Sequence, residues 1–393
     1  MYDLVIRDAT IVSSGGRQVA DVAIKGGRIA YVGPRPPRDA HEEVSAIGKF
    51  LVPGVIDTAV QFDPNGDQEI WQRESRAAVT GGVTTVLSLP NGDHPVIDRA
   101  TAQRRFDLAS RGSWCDFGLW AAATQTNRAE LAKAHEDGLI AGTLAYLGVN
   151  DGVGIPSDEL QDWLDTPGVL GVQIRTNVRE QGAAILAAVR AADRPVHLVH
   201  LSTAAELDMI DPVHGELPLT AGVTPHHLFL STDDGDLIRR KTQPPVRPEH
   251  DRRTLWTAVK RGRLDCIASD HHSLGEGVPG SELLFPLMLS AVKYGRLSLE
   301  LLVSLCSEAP ARIFGLEQKG RISKGADADL VLFSEAEVTR VGASDLVSGA
   351  GWSPYVDREA APKPDLVFVG GQLVARSGQL VEGSPAGRPI HRD

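Results

Sequence analysis

The sequence predicts an α/β fold, a (β/α)8 TIM-like barrel over residues 53–319 joined to a small β-sandwich built from both chain termini, residues 1–52 and 320–393. Three observations predict it. Between Gly54 and about residue 316, short apolar β-rich runs alternate with helical stretches, the pattern of a parallel sheet wrapped by helices. Both ends of the chain instead show short β-rich runs separated by glycine turns, as in hairpins. Finally, Asp3-Leu4-Val5-Ile6-Arg7 near one terminus and Asp365-Leu366-Val367-Phe368-Val369 near the other share a pattern, which places them in one sheet system.

The elements follow in order. Leu4 to Ile6, Ala9 to Val12, Val22 to Ile24 and Ile29 to Val32 are the strand runs of the first module, with Gly26-Gly27 as a turn. The barrel strands are read at Pro53 to Gln61, Val83 to Leu89, Phe117 to Ala123, Leu139 to Leu147, Val196 to Leu201 and Cys266 to Ser269. Helices are read at Arg128 to Glu136 and Gly182 to Ala192, where apolar residues recur at helical spacing. After Gly325 the β character returns in Asp329 to Phe333. Val338 to Pro364 lacks periodicity and is read as a loop, either a lid over the barrel mouth or a solvated connection.

Composition excludes several function classes. A net charge of −11 lacks the basic footprint of a nucleic-acid binder. The three cysteines, Cys115, Cys266 and Cys306, are far apart, so neither a disulfide framework nor a thiolate zinc site is implied. No run of about 18 apolar residues reads as a membrane span, and the N-terminus has no signal-peptide pattern. A cytoplasmic protein is the default expectation, with a small molecule rather than nucleic acid or membrane as its ligand.

Seven ordered motifs carry a resemblance. They are Pro53-Gly54-Val55-Ile56-Asp57-Thr58-Ala59-Val60-Gln61; Thr80-Gly81-Gly82-Val83-Thr84-Thr85 with Leu89-Pro90-Asn91; Val196-His197-Leu198-Val199-His200; Val223-Thr224-Pro225-His226-His227; Lys241-Thr242-Gln243-Pro244-Pro245-Val246-Arg247; Ile267-Ala268-Ser269-Asp270-His271; and Pro310 to Leu316 with Gly325 to Val331. Together they resemble the amidohydrolase superfamily, in its dihydroorotase, allantoinase and hydantoinase branch. The resemblance implies a hydrolase of cyclic amides with a two-metal centre at the barrel mouth. The family's first strand reads Pro-Gly-x-x-Asp-x-His-x-His, and alternation points both histidines at one cation. Here Ala59 and Gln61 stand in their places.

The other ligand positions implied by the resemblance are also altered. Thr143 matches the lysine whose carbamate bridges the cations, and Arg175 matches a histidine, while His200 and Asp270 remain. No metal cofactor is therefore expected, with zinc kept as a disfavoured possibility. Among the substrate positions implied by the family, Asn91 is kept, Gln243 replaces an asparagine, and Asp63 replaces a carboxylate-binding arginine. Pro279 and Gly280 belong to a loop whose backbone meets the substrate ring. A salt bridge between Asp270 and Arg175 is the plain structural alternative for those two residues.

Three functions stay open on these residues. The first is a metal-independent enzyme that closes or opens a small ureido or amide ring, with Asp270 as general acid or base and His200 or His271 relaying the proton. The second is a noncatalytic homologue with a vestigial pocket, like the dihydroorotase-like chains that scaffold aspartate carbamoyltransferase, so that a carbamoyltransferase would be its partner. The third is a mononuclear metal hydrolase using His200, Asp270 and Asp63 or Gln61. Relatives of this kind imply a homo-oligomer, dimer or tetramer.

Overall fold

The computed structural model describes residues 1–36, 38–62, 66–149, 152–175, 177–192, 194–234, 242–274 and 277–390. The chain opens with β1 (Tyr2–Ser13), β2 (Gly16–Lys25), β3 (Arg28–Gly33), β4 (Ala40–Ser45) and β5 (Phe50–Pro53). The first half of β1 pairs with β4 and its second half with β5. The change of partner occurs at an irregularity between Ile6 and Ala9, where Asp8 takes φ 55°, so one bent strand serves both layers. The amide of Asp8 donates to Asp21 Oδ1 at 2.8 Å, which holds the bend.

The barrel strands are β6 (Val55–Gln61), β7 (Val83–Ser88), β8 (Asp116–Ala122), β9 (Gly142–Tyr146), β10 (Val169–Gln173), β11 (Val196–Leu198), β12 (Leu219–Val223), β13 (Cys266–Ile267) and β14 (His271–His272). They pair in parallel and in order, and β14 closes the ring against β6. The final barrel strand is thus split. Cys266–Ile267 lies on β12, the chain breaks at Ala268-Ser269-Asp270, and His271–His272 resumes on β6.

Around the ring lie α1 (Gln68–Thr80), α2 (Arg99–Ser110), α3 (Arg128–Glu136), α4 (Val178–Ala192), α5 (Ala204–Ile210), α6 (Pro225–Phe229), α7 (Glu249–Lys260), α8 (Leu284–Lys293), α9 (Leu299–Val303) and α10 (Ala309–Ile313). Strand residues facing the helices, such as Val86, Ala145, Val172 and Val223, form the main core. Those facing the lumen, Ile56, Ala59, Leu87, Trp120, Ala122, Leu144 and Tyr146, form a second cluster plugged by Phe314 and Ile390. The lumen is a packed core, as in other barrels of this kind.

The chain then returns to the first sheet through β15 (Leu330–Phe333). A small β16 (Thr339–Arg340) and β17 (Glu359–Ala360) ribbon follows, and β18 (Leu366–Val369), β19 (Gln372–Arg376) and β20 (Gln379–Leu380) complete the sheet in the order β20-β19-β18-β15-β5-β1-β2-β3. Both termini thus build one terminal module, as the shared pattern predicts. Val338 to Pro364 is a packed connection. Val341, Tyr355 and Ala360 sit against Leu230, Val246 and Val278 at the barrel rim, while Glu282 accepts from the amides of Val347 and Ser348.

Barrel and sheet meet closely. A Cβ on Gly54 would lie 2.0 Å from Thr84 Oγ1, so the step from β5 to β6 requires glycine. Below the barrel, the Lys319 ammonium lies 2.5 Å from Asp116, 2.6 Å from Asp329 and 3.3 Å from Asp327. These three carboxylates are also the group of potential metal ligands found among the described residues, and the ammonium already sits among them. Among the described residues no helix is long and apolar enough to cross a membrane.

Candidate active site at the barrel mouth

The mouth is built at the C-terminal ends of the strands, where barrel enzymes carry their chemistry. Two of its residues hold strained backbone. His200, just past β11, has φ 57°, and Asp270, in the break of the last strand, has φ 49°. Neither residue type adopts this left-handed region without cost, and such strain persists where surrounding contacts enforce it. The contact at Asp270 is identifiable. Buried Asp57 in β6 accepts the Ser269 amide at 2.8 Å, taking the place of the missing strand ladder.

Asp270 is the centre of the cluster. Its Oδ1 lies 3.7 Å from His200 Nδ1 and 3.6 Å from His272 Nε2. Burial by itself would raise the Asp270 pKa, but the neighbouring imidazoles of His200, His272 and His226 outweigh it and hold the carboxyl well below its usual range. Burial also lowers the His200 pKa, by disfavouring the imidazolium, and His226 falls to about 4 for the same reason. The Asp270 carboxylate thus lies beside two imidazoles, His200 and His226, that burial disfavours as cations. Both ring nitrogens of His200 and both of His226 are buried without hydrogen-bond partners among the described residues.

His226 and His272 were not expected here. His226 occupies the first turn of α6, capped by Thr224, while its neighbour His227 is tied to Thr224 and to the Pro245 carbonyl. For His272 a signal existed. Alternation along a strand puts Asp270 and His272 on one side and His271 on the other. A Cβ on Gly277 would lie 2.3 Å from the His272 ring, so the backbone of Gly277 packs directly on it.

The proton-relay role expected for His271 is corrected by the same alternation. Its Nδ1 accepts the amides of Gly280 and Ser281 at 3.3 Å, and its Nε2 lies 3.2 Å from Glu74 Oε2 on α1. It faces the helix layer. Gly280 is corrected with it, because its amide is engaged by His271 rather than open to a ligand, and Pro279 beside it is buried. Glu74 also accepts from Ser348 and Gly349. Burial would raise the Glu74 pKa, yet His271 and these donors bring it down to about 2.

A depressed carboxyl stabilises the fold above its unfolded pKa and loses that contribution as pH falls through the folded value. Glu74 therefore contributes roughly 3 kcal/mol that disappears between about pH 4.5 and 2. Urea unfolding followed across that window should show a shallower loss in Glu74→Gln than in the wild type. Parallel pH curves would remove Glu74 from acid stability.

Thr143 is also corrected. β9 starts at Gly142, so Thr143 lies near the bottom of the strand. It shares the outward face of Ala145 and Leu147, whereas Leu144 and Tyr146 face the lumen. The residue at the mouth end of this strand is Tyr146. Ala59 packs in the lumen cluster, and Gln61 ends β6 buried, its carbonyl accepting from Ser273 at 3.3 Å.

Arg175 follows β10. Its guanidinium stacks on the Tyr146 ring at 4.0 Å rather than pairing with Asp270. Tyr146 donates its hydroxyl to Asn91 Oδ1 at 2.6 Å. Gln243 has an exposed side chain, and its carbonyl accepts from Gln173 Nε2 at 3.1 Å. Asp63, together with Lys241 of the Pro-Pro motif, lies outside the described residues. A cavity of about 770 Å³ opens at the opposite end of the barrel, between Arg194, His197, Arg312 and Phe314, away from these groups.

Residues 50–374 match the amidohydrolase family. A dihydroorotase of Pyrococcus furiosus is 31% identical over 394 residues, spanning 94% of this chain and 92% of its own. An allantoinase of Rubrobacter xylanophilus is 29% identical over 98% of this chain and 97% of its own. The fold superposes on an L-hydantoinase (dihydropyrimidinase) from Arthrobacter aurescens with a TM-score of 0.92 at 26% identity, covering both chains fully. With the barrel, the terminal module and the ordered motifs, these matches place the chain in the amidohydrolase family, on its dihydroorotase, allantoinase and hydantoinase branch.

Proposed function

We propose that this cyclic-amide amidohydrolase homologue opens or closes a small amide or ureide ring without a metal centre. The observation that carries this reading is the buried Asp270 carboxylate facing His200 and His272, with the ring nitrogens of His200 and His226 unpartnered among the described residues. The donor set does not fit a two-cation centre. Ala59 offers no ligand atom and packs in an apolar cluster, and the Arg175 guanidinium is a permanent cation that repels metal. A single zinc would want three donors about 3.3 Å apart. At the mouth no three ligand atoms of the described residues come within 4.8 Å of one another.

The remaining groups support general acid and base catalysis. Asp270, held ionised, is a weak base but a good partner for an imidazolium. His200 is the better proton carrier. In the opening direction, water oxygen bonds to the ring carbonyl carbon and one water proton passes to His200, whose positive charge faces Asp270. The C–N bond breaks as His200 returns that proton to the leaving nitrogen, and the second water proton leaves when the new carboxylic acid ionises. Closure is the reverse, and there the intramolecular nitrogen gains from high effective concentration.

Stripping the protein with a chelator, checked by elemental analysis, is expected to leave turnover of cyclic ureides such as hydantoin and dihydrouracil unchanged. Loss of turnover on stripping, with recovery at one equivalent of zinc per chain, would overturn the reading. Absence of turnover across the panel would point instead to the noncatalytic homologue.

A further inference from the structure

Tyr146 and Arg175 form a platform at the mouth that the acid and base steps do not use. Tyr146 ends β9 with its ring in the lumen and its hydroxyl fixed on Asn91. Arg175 lies on that ring at 4.0 Å, well inside cation-π range. The Arg175 amide donates to Gln181 Oε1 at 3.0 Å, so the base of the side chain is held as well as its tip. Stacking engages the face of the guanidinium, whereas its N–H donors lie in the plane of the fork and are not used by the ring.

Among the described residues the fork meets no anion. Among the described residues its buried Nε has no hydrogen-bond partner, and no carboxylate lies within ion-pair distance of it. Holding a cation half-buried and uncompensated is costly, and the platform repays that cost if an anionic ligand completes it. The charge of Asp270 reaches the Tyr146 phenol, so the platform and the acid-base cluster share one mouth. Asp270 itself, already faced by His200 and His272, does not supply the missing anion.

Ring chemistry supplies one. Opening a cyclic amide converts its carbonyl into a carboxylate, closing it consumes that carboxylate, and both directions pass through an oxyanion on the same carbon. A planar, bidentate cation matches a carboxylate better than a point charge does. We propose that Arg175, held by Tyr146 and Asn91, anchors the carboxylate of the ring-opened partner, a small ureido or amido acid, at the carbon that reacts. The identity of that carboxylate rests on the proposed ring chemistry, but its binding requires no turnover.

Calorimetric titration of the full, chelator-treated chain with N-carbamoylglycine and N-carbamoyl-β-alanine, and with the neutral amides of both, tests this. The acids are expected to bind and the amides to bind on the order of tenfold more weakly. Arg175→Met should weaken the acids by roughly 10- to 100-fold while leaving the amides unchanged, which also reports that the variant is folded. Arg175→Lys should recover only part, for want of the fork. Tyr146→Phe keeps the ring and should cost less than Arg175→Met. Equal acid affinity in the wild type and Arg175→Met, equal affinity for acid and amide, or failure of the acids to bind at all would overturn the proposal. Arg175-dependent acid binding by a protein that turns over no cyclic amide would leave the anchor standing and remove the ring chemistry. Turnover unaffected by Arg175→Met would do the reverse.

Discussion

Lys319→Met is expected to destabilise the protein by about 3–5 kcal/mol, because it removes one partner of a buried ion cluster and leaves the others uncompensated. Lys319 is buried against Asp116 and Asp329, with Asp327 at 3.3 Å. Burial alone would lower its pKa, but the three carboxylates outweigh this and raise it, so the ammonium stays charged throughout the accessible range. Burial also pushes Asp116 up to about 6, even against the pull of Lys319. Without the ammonium, Asp116 and Asp329 would face each other with like charge.

The damage should be specific to the junction. Asp116 begins β8 and accepts the Arg388 amide, while Asp329 precedes β15 and accepts the Gly370 amide. One ammonium therefore ties the barrel floor, the returning sheet and the C-terminal segment. Urea unfolding should show the midpoint falling in Lys319→Met and partly recovering when Asp116→Asn is added, since one of the stranded charges is then removed. An unchanged midpoint in the single variant would show that the cluster contributes nothing net.

Asp270→Asn is expected to lower turnover by about 10²–10⁴-fold, the range for losing a positioned acid-base group. The substitution is nearly isosteric, and asparagine is among the residues that tolerate left-handed backbone, so φ 49° at this position can be kept. What changes is the charge. His200 would then form its imidazolium in a buried site without the carboxylate 3.7 Å away. Turnover equal to the wild type in a variant of equal stability would remove Asp270 from the mechanism and leave the imidazoles acting alone.

Much of the fold was legible along the chain, for physical reasons that can be named. Buried parallel strands are short and apolar on both faces, so Val83 to Leu89 and Phe117 to Ala123 declare themselves. The shared pattern at Asp3 to Arg7 and Asp365 to Val369 marked the joining of the termini. Less legible was where a strand begins. Leu139 to Leu147 is a nearly continuous apolar run, and nothing in it marks Gly142 as the first residue of β9. The sequence therefore assigns Thr143 to the mouth although it lies near the floor, and it does not single out Tyr146. The split of the last strand was hidden too, because the break depends on Asp57, distant in sequence, accepting the Ser269 amide.

By itself, the order of residues determined which atoms single positions offer: alanine at 59 and arginine at 175 are fixed in the chain, and no packing changes what their atoms can bind. It also determined the barrel, since short apolar runs that alternate with helical stretches are a local property. Tertiary structure decided which side chains meet. It turned His271 toward Glu74, brought His226 and His272 to Asp270, and laid Arg175 on Tyr146. Those outcomes depend on strand register and on contacts between residues far apart in the chain. A one-residue shift in register reverses which face a side chain occupies, and only the closed barrel fixes that register.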